Sequence, residues 1–425
     1  MNKNDVFSVP AFPCRHCGAS VTHEFADLGL TPLCQTQIAP ARFNQAERYF
    51  PLQAYVCSAC WLVQLRDCIS SADVFTDDYP YFSSFSASWL AHAKAYVDEM
   101  VERLQLGSDS LVMELASNDG YLLRHFKPHG VPVLGVEPSR SVADAAIALG
   151  IPTEIRFFGR DTATDLRARY GAADLIAGNN VLAHVPDIND FVAGVQIALK
   201  PQGTVTFEFP HLLNLMQQNQ FDTIYHEHFS YLSLHAVRAV FRTAGLDIYD
   251  VRKLSTHGGS LRVFGQLAGA GRPVTDQVAA VLAEEAQAGL LDVKTYGGFA
   301  EQARATKRDI LDFLIQARRQ GKRVAGYGAP GKGNTLLNYC GIGTDLIDFT
   351  VDANPAKQHT FAPGSRIPIY PPDHIRETKP DYLFILPWNL KEEIMAQTAY
   401  IREWGGQWVT PIPTPKVWSE PAVRA

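Results

Sequence analysis

From about residue 73 onward, apolar runs of strand length alternate with longer stretches whose apolar positions recur at helical spacing. SLVMELAS, PVLGVEP, ADLIAGNN and GTVTFEFP are the strand candidates of a region that extends to about residue 272. Strands spaced by helices predict a parallel α/β sheet. From about residue 273 a long helical pattern, VTDQVAAVLAEEAQAGLL, opens the next region. A second helical pattern, FAEQARATKRDILDFLIQARRQG, follows Tyr296-Gly297-Gly298. The alternation then resumes with RVAGYGA, LIDFTVD and YLFILP, which predicts a second α/β unit. Residues 1 to about 72 differ, being rich in turns and cysteine with short strand-like pieces such as ERYFPLQAYVC. The pattern therefore predicts three domains, at 1–72, 73–272 and 273–425.

Composition narrows the class. The 425 residues are 46% hydrophobic and 19% charged, as in soluble globular enzymes. A formal charge of −6 argues against a general electrostatic grip on nucleic acid, so no nucleic-acid partner is expected. No apolar run reaches about 18 residues, so no membrane span is expected. The opening MNKNDVFSVPAFPC lacks the apolar core of a signal peptide, and a cytoplasmic location is the expectation. A monomer is also expected.

The seven cysteines include two C-x-x-C pairs, Cys14-Arg15-His16-Cys17 and Cys57-Ser58-Ala59-Cys60. Four thiolates suit tetrahedral zinc, and the two-residue gap lets each pair chelate as a knuckle. With no open ligand position the zinc would be structural, holding together a head too small for its own core. Redox pairs or merely buried pairs are the competing reading. His16 and His23 rank below the cysteines as ligands, and Cys34, Cys68 and Cys340 read as lone thiols.

The first α/β strand runs into a polar loop, Glu114-Leu115-Ala116-Ser117-Asn118-Asp119-Gly120, and a helix is expected over YLLRHFKPHG. Ligands of a doubly wound sheet bind at the carboxyl ends of its strands. Glu137, in GVEPS with Pro138, lies about twenty residues after the loop, where a carboxylate suits a ribose diol. The loop is not G-x-G-x-x-G, and Glu114 and Asp119 put negative charge where a pyrophosphate would sit. That disfavours a dinucleotide and suits the sulfonium and ammonium of S-adenosylmethionine (SAM). Ser117, Asn118 and Gly120 belong to the same cofactor loop. Another nucleotide held by different contacts is the alternative. Asn179 and Asn180 end the third strand, where they either touch the cofactor or shape its loop, and His184 follows.

The stretch FDTIYHEHFSYLS crowds Tyr225, His226, Glu227 and His228 together. The histidines are too close for H-E-x-x-H, which needs them one helical turn apart. His257-Gly258-Gly259-Ser260-Leu261-Arg262 reads either as a contact to phosphate or sugar through His257, Ser260 or Arg262, or as a turn before a strand. GYGAPGKGNT lacks the P-loop order, yet its amides and Lys332 suit a diphosphate at a helix start. Asn334 and Lys357 are further candidates. Each also reads as a solvated charge or a capping group.

Taken in order, C-x-x-C…C-x-x-C, ELASNDGYLL, GVEPS, NNVLAHVPDINDF, YHEHFSYLS, HGGSLRV and GYGAPGKGNTLLNY resemble the sugar C-methyltransferases of deoxysugar biosynthesis. That family methylates C3 of a nucleotide-linked 4-keto-6-deoxy sugar, and the resemblance covers nearly the whole chain. It implies an α/β protein with three parts. These are a small zinc-binding N-terminal domain, a central class I (Rossmann-like) SAM methyltransferase domain and a C-terminal Rossmann-like α/β domain for the nucleotide sugar. It implies His228 as the base, with Tyr225 and Glu227 beside it. Tyr79, in DDYPYFSSFS, and His184 fall at matching active-site positions, and Tyr81 of the same stretch is expected at the substrate. His226 is expected to act through water or to shape the pocket. The expected sugar carrier is dTDP. The alternatives are a GDP- or CDP-linked sugar, methylation at another position, or a non-catalytic protein that binds zinc and nucleotide.

The chemistry is consistent with those residue types. A ketone at C4 acidifies the proton on C3, so the chain needs a base, a donor for the enolate oxygen and fixed geometry. A histidine is neutral near pH 7, a tyrosine donates without carrying charge, and a carboxylate orients the imidazole.

Overall fold

The computed structural model describes residues 10–66, 69–70 and 82–419. They fall into two units, each assembled from separate stretches of chain. One comprises Met1–His23, Val56–Leu213 and Glu227–Val293; the other comprises Glu24–Tyr55, Asn214–His226 and Lys294–Ala425. No helix among the described residues is long and apolar enough to cross a membrane.

The sheet of the first unit has seven strands: β1 Val112–Leu115, β2 Val133–Val136, β3 Thr153–Glu154, β4 Ala173–Asn179, β5 Leu199–Pro210, β6 Leu246–Leu254 and β7 Ser260–Leu267. Their order is β3-β2-β1-β4-β5-β7-β6. The pairs β1–β2, β2–β3, β1–β4 and β4–β5 are parallel, whereas β7 runs antiparallel to β5 and β6. The chain moves outward from β1 in one direction and then crosses to β4 on its other side. That reversal leaves a crevice at the carboxyl ends of β1 and β4, the usual ligand position in such sheets.

Helix α1, Ala87–Leu104, begins at Ser86, whose side chain accepts the amide of Trp89. Its buried residues, Ala93, Tyr96, Val97 and Met100, recur at helical spacing. They join Val112, Leu122, Leu123, Phe126, Leu175 and Phe264 in one core. The helix expected over YLLRHFKPHG is absent. Two 3-10 turns, Leu123–His125 and Lys127–His129, stand there instead. Pro128 has no amide hydrogen to extend a helix, and Gly130 closes the second turn at φ 67°.

In the second unit the sheet order is β10-β11-β9-β8-β12-β13-β14. Its strands are β8 Val324–Tyr327, β9 Thr350–Val351, β10 Thr360–Phe361, β11 Pro368–Tyr370, β12 Tyr382–Ile385, β13 Gln407–Thr410 and β14 Lys416–Trp418. The inner pairs are parallel and the two edges antiparallel. Ala325, Val351, Leu383, Ile385 and Trp408 form its core.

One buried charge ties several elements of the first unit. Glu285 lies on α3, Asp276–Gln287, and accepts the Leu234 and His235 amides at 2.6 and 3.0 Å, capping α2, Leu234–Thr243. It also accepts His211 Nε2 at 2.8 Å and His235 Nδ1 at 2.7 Å. Burial alone would raise its pKa, but the two histidines and the amide outweigh this and hold it at about 2. A folded value below the unfolded one adds stability above about pH 4.3, and that stability drains away as pH falls toward 2. Glu285→Gln is therefore expected to cost roughly 2–4 kcal/mol at pH 7, with the gap to wild type closing below about pH 4. Thermal unfolding across pH measures this.

Candidate functional site

The four paired cysteines converge. Their sulfurs all lie within 4.8 Å of one another, with Cys14–Cys60 and Cys17–Cys57 each at 3.6 Å. Four sulfurs about 2.3 Å from one tetrahedral ion stand about 3.8 Å apart, so the set fits zinc. Each pair turns as a knuckle: the Gly18 amide donates to Cys14 O and the Trp61 amide to Cys57 O, both at 2.9 Å. Both turns need a left-handed residue, Gly18 at φ 73° and Trp61 at φ 63°. Gln64 Nε2 donates to Cys14 Sγ at 3.1 Å, as thiolate ligands commonly require of their surroundings. His16 turns away to Asn189 at 2.8 Å, and His23 is exposed. Cys340 is a buried thiol pushed up to about 12 by desolvation, hence inert. Cys68, Tyr79 and Tyr81 lie outside the described residues.

At the end of β1 the loop bends through left-handed residues, Ala116 at φ 55°, Asn118 at 50° and Gly120 at 75°. Glu114 is fully buried, and neither carboxylate oxygen has a hydrogen bond within ordinary limits. Burial pushes its pKa well up, and the facing Tyr121 hydroxyl offsets this only in part. The Ser117 hydroxyl is likewise buried without a partner. A cation satisfies this uncompensated carboxylate, which matches the ammonium and sulfonium of SAM. Glu137 follows β2 and accepts the amides of Asn118 at 3.0 Å and Ser139 at 2.8 Å, fixing the loop. Pro138 lies between. Burial raises Glu137 to about 7. Asn118 Oδ1 accepts the Ser83 amide at 2.8 Å and Asp119 Oδ2 the Ser84 amide at 3.1 Å, latching the approach to α1. At the end of β4, Asn179 donates to the Tyr121 hydroxyl at 3.2 Å, and Asn180 faces His257 at 3.5 Å.

The histidines divide into two groups. His184 and His228, both in the first unit, meet ring to ring at 4.6 Å and 74°. Desolvation pulls His184 down to about 4, so it is neutral at pH 7; the Glu227 backbone opposes this weakly. Glu227 and His228 are buried. The division into units falls inside YHEH, since Tyr225 and His226 belong to the second unit. There His226 Nε2 bonds Pro51 O at 3.1 Å and the ring meets Phe50 edge-on, while Tyr225 is half-buried.

The HGGS segment forms a tight turn with His257 at φ 54° against Trp89. Ser260 Oγ donates to Thr256 O at 3.0 Å. Arg262 donates to Glu208 at 2.5 Å and lies over the Tyr96 ring. Glu208 also holds His92 at 2.8 Å and Thr256 at 2.7 Å. Burial opposes its charge, yet His92 and Arg262 hold it at about 2. Sequence reasoning missed Glu208 and His92, although an acid inside the apolar strand GTVTFEFP was a signal. In the second unit, Lys332 lies at the start of α4, Gly331–Cys340, donates to Asn389 at 2.8 Å and sits over Trp388. Buried Asp222, also missed, accepts the Trp388 indole at 2.7 Å. Asn334 donates to Cys34 O at 2.6 Å, and Lys357 to Ala329 O at 2.8 Å.

Strand order, cofactor loop and cysteine cluster together define a SAM-dependent methyltransferase with a structural zinc. Three family models match in series: a zinc binding domain at 14–75, a methyltransferase domain at 89–251 and a C-methyltransferase C-terminal domain at 255–413. The C-methyltransferase NovU of Streptomyces niveus is 39% identical over 411 residues, spanning 96% of this chain and 97% of that protein. The chain belongs to the family of C-methyltransferases with a zinc-binding N-terminal domain, as its ordered motifs implied. Among solved structures, magnesium protoporphyrin IX methyltransferase (ChlM) of Synechocystis PCC 6803 with bound SAM is 13% identical with a TM-score of 0.35, covering 48% of this chain and 100% of that one. The CcbJ methyltransferase of Streptomyces caelestis is 14% identical with a TM-score of 0.34, covering 47% and 96%.

Purified protein is expected to carry about one equivalent of zinc, and Cys57→Ser to lose it together with the folded head; metal analysis beside thermal unfolding checks this. Glu137→Ala is expected to weaken SAM binding by about 1–3 kcal/mol in calorimetry.

Proposed function

We propose that the enzyme transfers a methyl group to C3 of a nucleotide-linked 4-keto-6-deoxy sugar, with dTDP as the carrier. The carrying observation is the contact of His184 with His228 beside a buried Glu227, in a chain whose relative is a C-methyltransferase. The three-part organisation at 1–72, 73–272 and 273–425 belongs to the same reading, supported by the serial family matches. So do the remaining candidate contacts. Ser117, Asn179 and Asn180 are assigned to the cofactor, and Tyr81, His257, Ser260, Arg262, Lys332, Asn334 and Lys357 to the nucleotide sugar.

SAM supplies an electrophilic methyl on a cationic sulfur. His228 takes the C3 proton at its imidazole, and the electron pair of that C–H bond passes into the enolate, placing charge on the C4 oxygen. Tyr225 or Tyr79 donates a hydrogen bond to that oxygen. Bound SAM would give its methyl to the enolate carbon and leave as S-adenosylhomocysteine, and the proton remains on His228 until solvent removes it. Glu227 stabilises the protonated imidazole. His184, held neutral, adds no repelling charge next to it. His226 acts through water or shapes its own surroundings, where it bonds Pro51 O.

Wild-type enzyme with S-adenosylhomocysteine is expected to exchange the C3 hydrogen in D₂O. His228→Ala should lose both exchange and methylation by about 100-fold or more while still binding both ligands. Tyr225→Phe should slow both more modestly. Near wild-type methylation by His228→Ala would remove it as the base. A panel of dTDP-, GDP- and CDP-linked 4-keto-6-deoxy sugars reads the carrier.

A further inference from the structure

The two segments that bring His184 and His228 together are both gripped by the zinc knuckle. Arg15, inside the first C-x-x-C, extends its guanidinium between them. Nη1 donates to the carbonyl of Pro186, just beyond His184, at 2.5 Å. Nη2 donates to the carbonyl of Leu65 at 3.0 Å, and the guanidinium carbon lies 5.4 Å from the ring centre of Phe229, the neighbour of His228. The next knuckle residue is held from the His184 side. Asn189 Nδ2 donates to His16 O at 2.8 Å, and its Oδ1 meets His16 Nδ1 at 2.8 Å.

The second knuckle reaches the His228 side through the strand that follows it. Val63–Leu65 pairs antiparallel with Ser230–Tyr231, and the Leu65 amide donates to Phe229 O at 3.0 Å. Gln64 joins the two halves. Its Oε1 accepts the Arg15 amide at 2.9 Å while its Nε2 donates to the metal-ligand sulfur of Cys14. A zinc that only stabilised a small head would not need this wiring. All these residues belong to the first unit.

We infer that Arg15 is a positioning residue: it carries the fixed geometry of the zinc knuckle to the His184–His228 pair and sets their separation. The guanidinium suits this, because its rigid fork binds two carbonyls in fixed directions while its face packs on an aromatic ring. A lysine could reach one carbonyl but could not hold both. The consequence for catalysis rests on the function proposed above, in which His228 is the base.

The test uses the full-length zinc-loaded protein with labelled histidine. Edge-to-face imidazoles shift each other's ring C–H resonances, so these signals report the pair's geometry without any turnover. Arg15→Ala is expected to retain zinc and SAM affinity, to move the His184 and His228 ring signals, and to lower kcat about 10- to 100-fold with KM nearly unchanged. Arg15→Lys is expected to recover part of both effects. Unmoved ring signals overturn the inference, whether kcat holds or falls. Moved signals with wild-type kcat uphold the positioning role and instead refute His228 as the base, which His228→Ala tests separately. If Arg15→Ala loses zinc, Asn189→Ala, which leaves both knuckles' side chains intact, takes its place. It is expected to move the His184 signals, and their failure to move overturns the inference.

Discussion

Four cysteine sulfurs within 4.8 Å of one another, three of them on buried residues, cannot all be ionised unless a cation sits among them. That constraint governs the N-terminal knuckles and, through them, more of the first unit than a small head would suggest. The strand after the second knuckle pairs with the segment following His228, and the first knuckle holds the loop following His184. The metal-binding knuckles and the segments beside the histidine pair are therefore linked by hydrogen bonds and strand pairing within the first unit. A structural ion at the knuckles would brace two loops that lie far apart in sequence.

Four of the buried carboxylates of the first unit fall into two sets. Glu208 and Glu285 are surrounded by arginine, histidine or backbone donors and are held at about 2, so the folded chain has already settled their charge. Glu114 and Glu137 sit beside the loop after β1 and are pushed upward by burial. Glu137 is met by the amides of Asn118 and Ser139, so the charge that folding leaves uncompensated at the crevice where the sheet reverses direction is that of Glu114. A cationic cofactor suits that carboxylate, which in a structural core would be a fault. The paired set has its own use. Glu208 anchors the His257 turn through Thr256, and Glu285 anchors the start of α2.

Much of this was legible in the chain. SLVMELAS, PVLGVEP, ADLIAGNN and RVAGYGA became β1, β2, β4 and β8 because buried parallel strands read as short apolar runs. C-x-x-C spacing declared the metal site because chelation by a knuckle is a local event. The stretch after Gly120 misled, since YLLRHFKPHG has helical apolar density but its proline and glycine impose 3-10 turns. Partnerships across long sequence separations were invisible. Nothing local in HGGSLRV says that Arg262 bonds Glu208, or in the second unit that Asn334 and Lys357 each bond a backbone carbonyl. The role of Arg15 was hidden for the same reason, because its partners lie at Leu65, Pro186 and Phe229.

The central claim is that the methyl group goes to a sugar carbon made nucleophilic by the neighbouring ketone. Its most direct test is NMR of the product formed from SAM labelled with ¹³C in the methyl group and a dTDP-linked 4-keto-6-deoxy sugar. The account predicts a labelled methyl coupled to C3 through one bond, formed together with S-adenosylhomocysteine. A label in a methoxy group, or on any carbon other than C3, would contradict it.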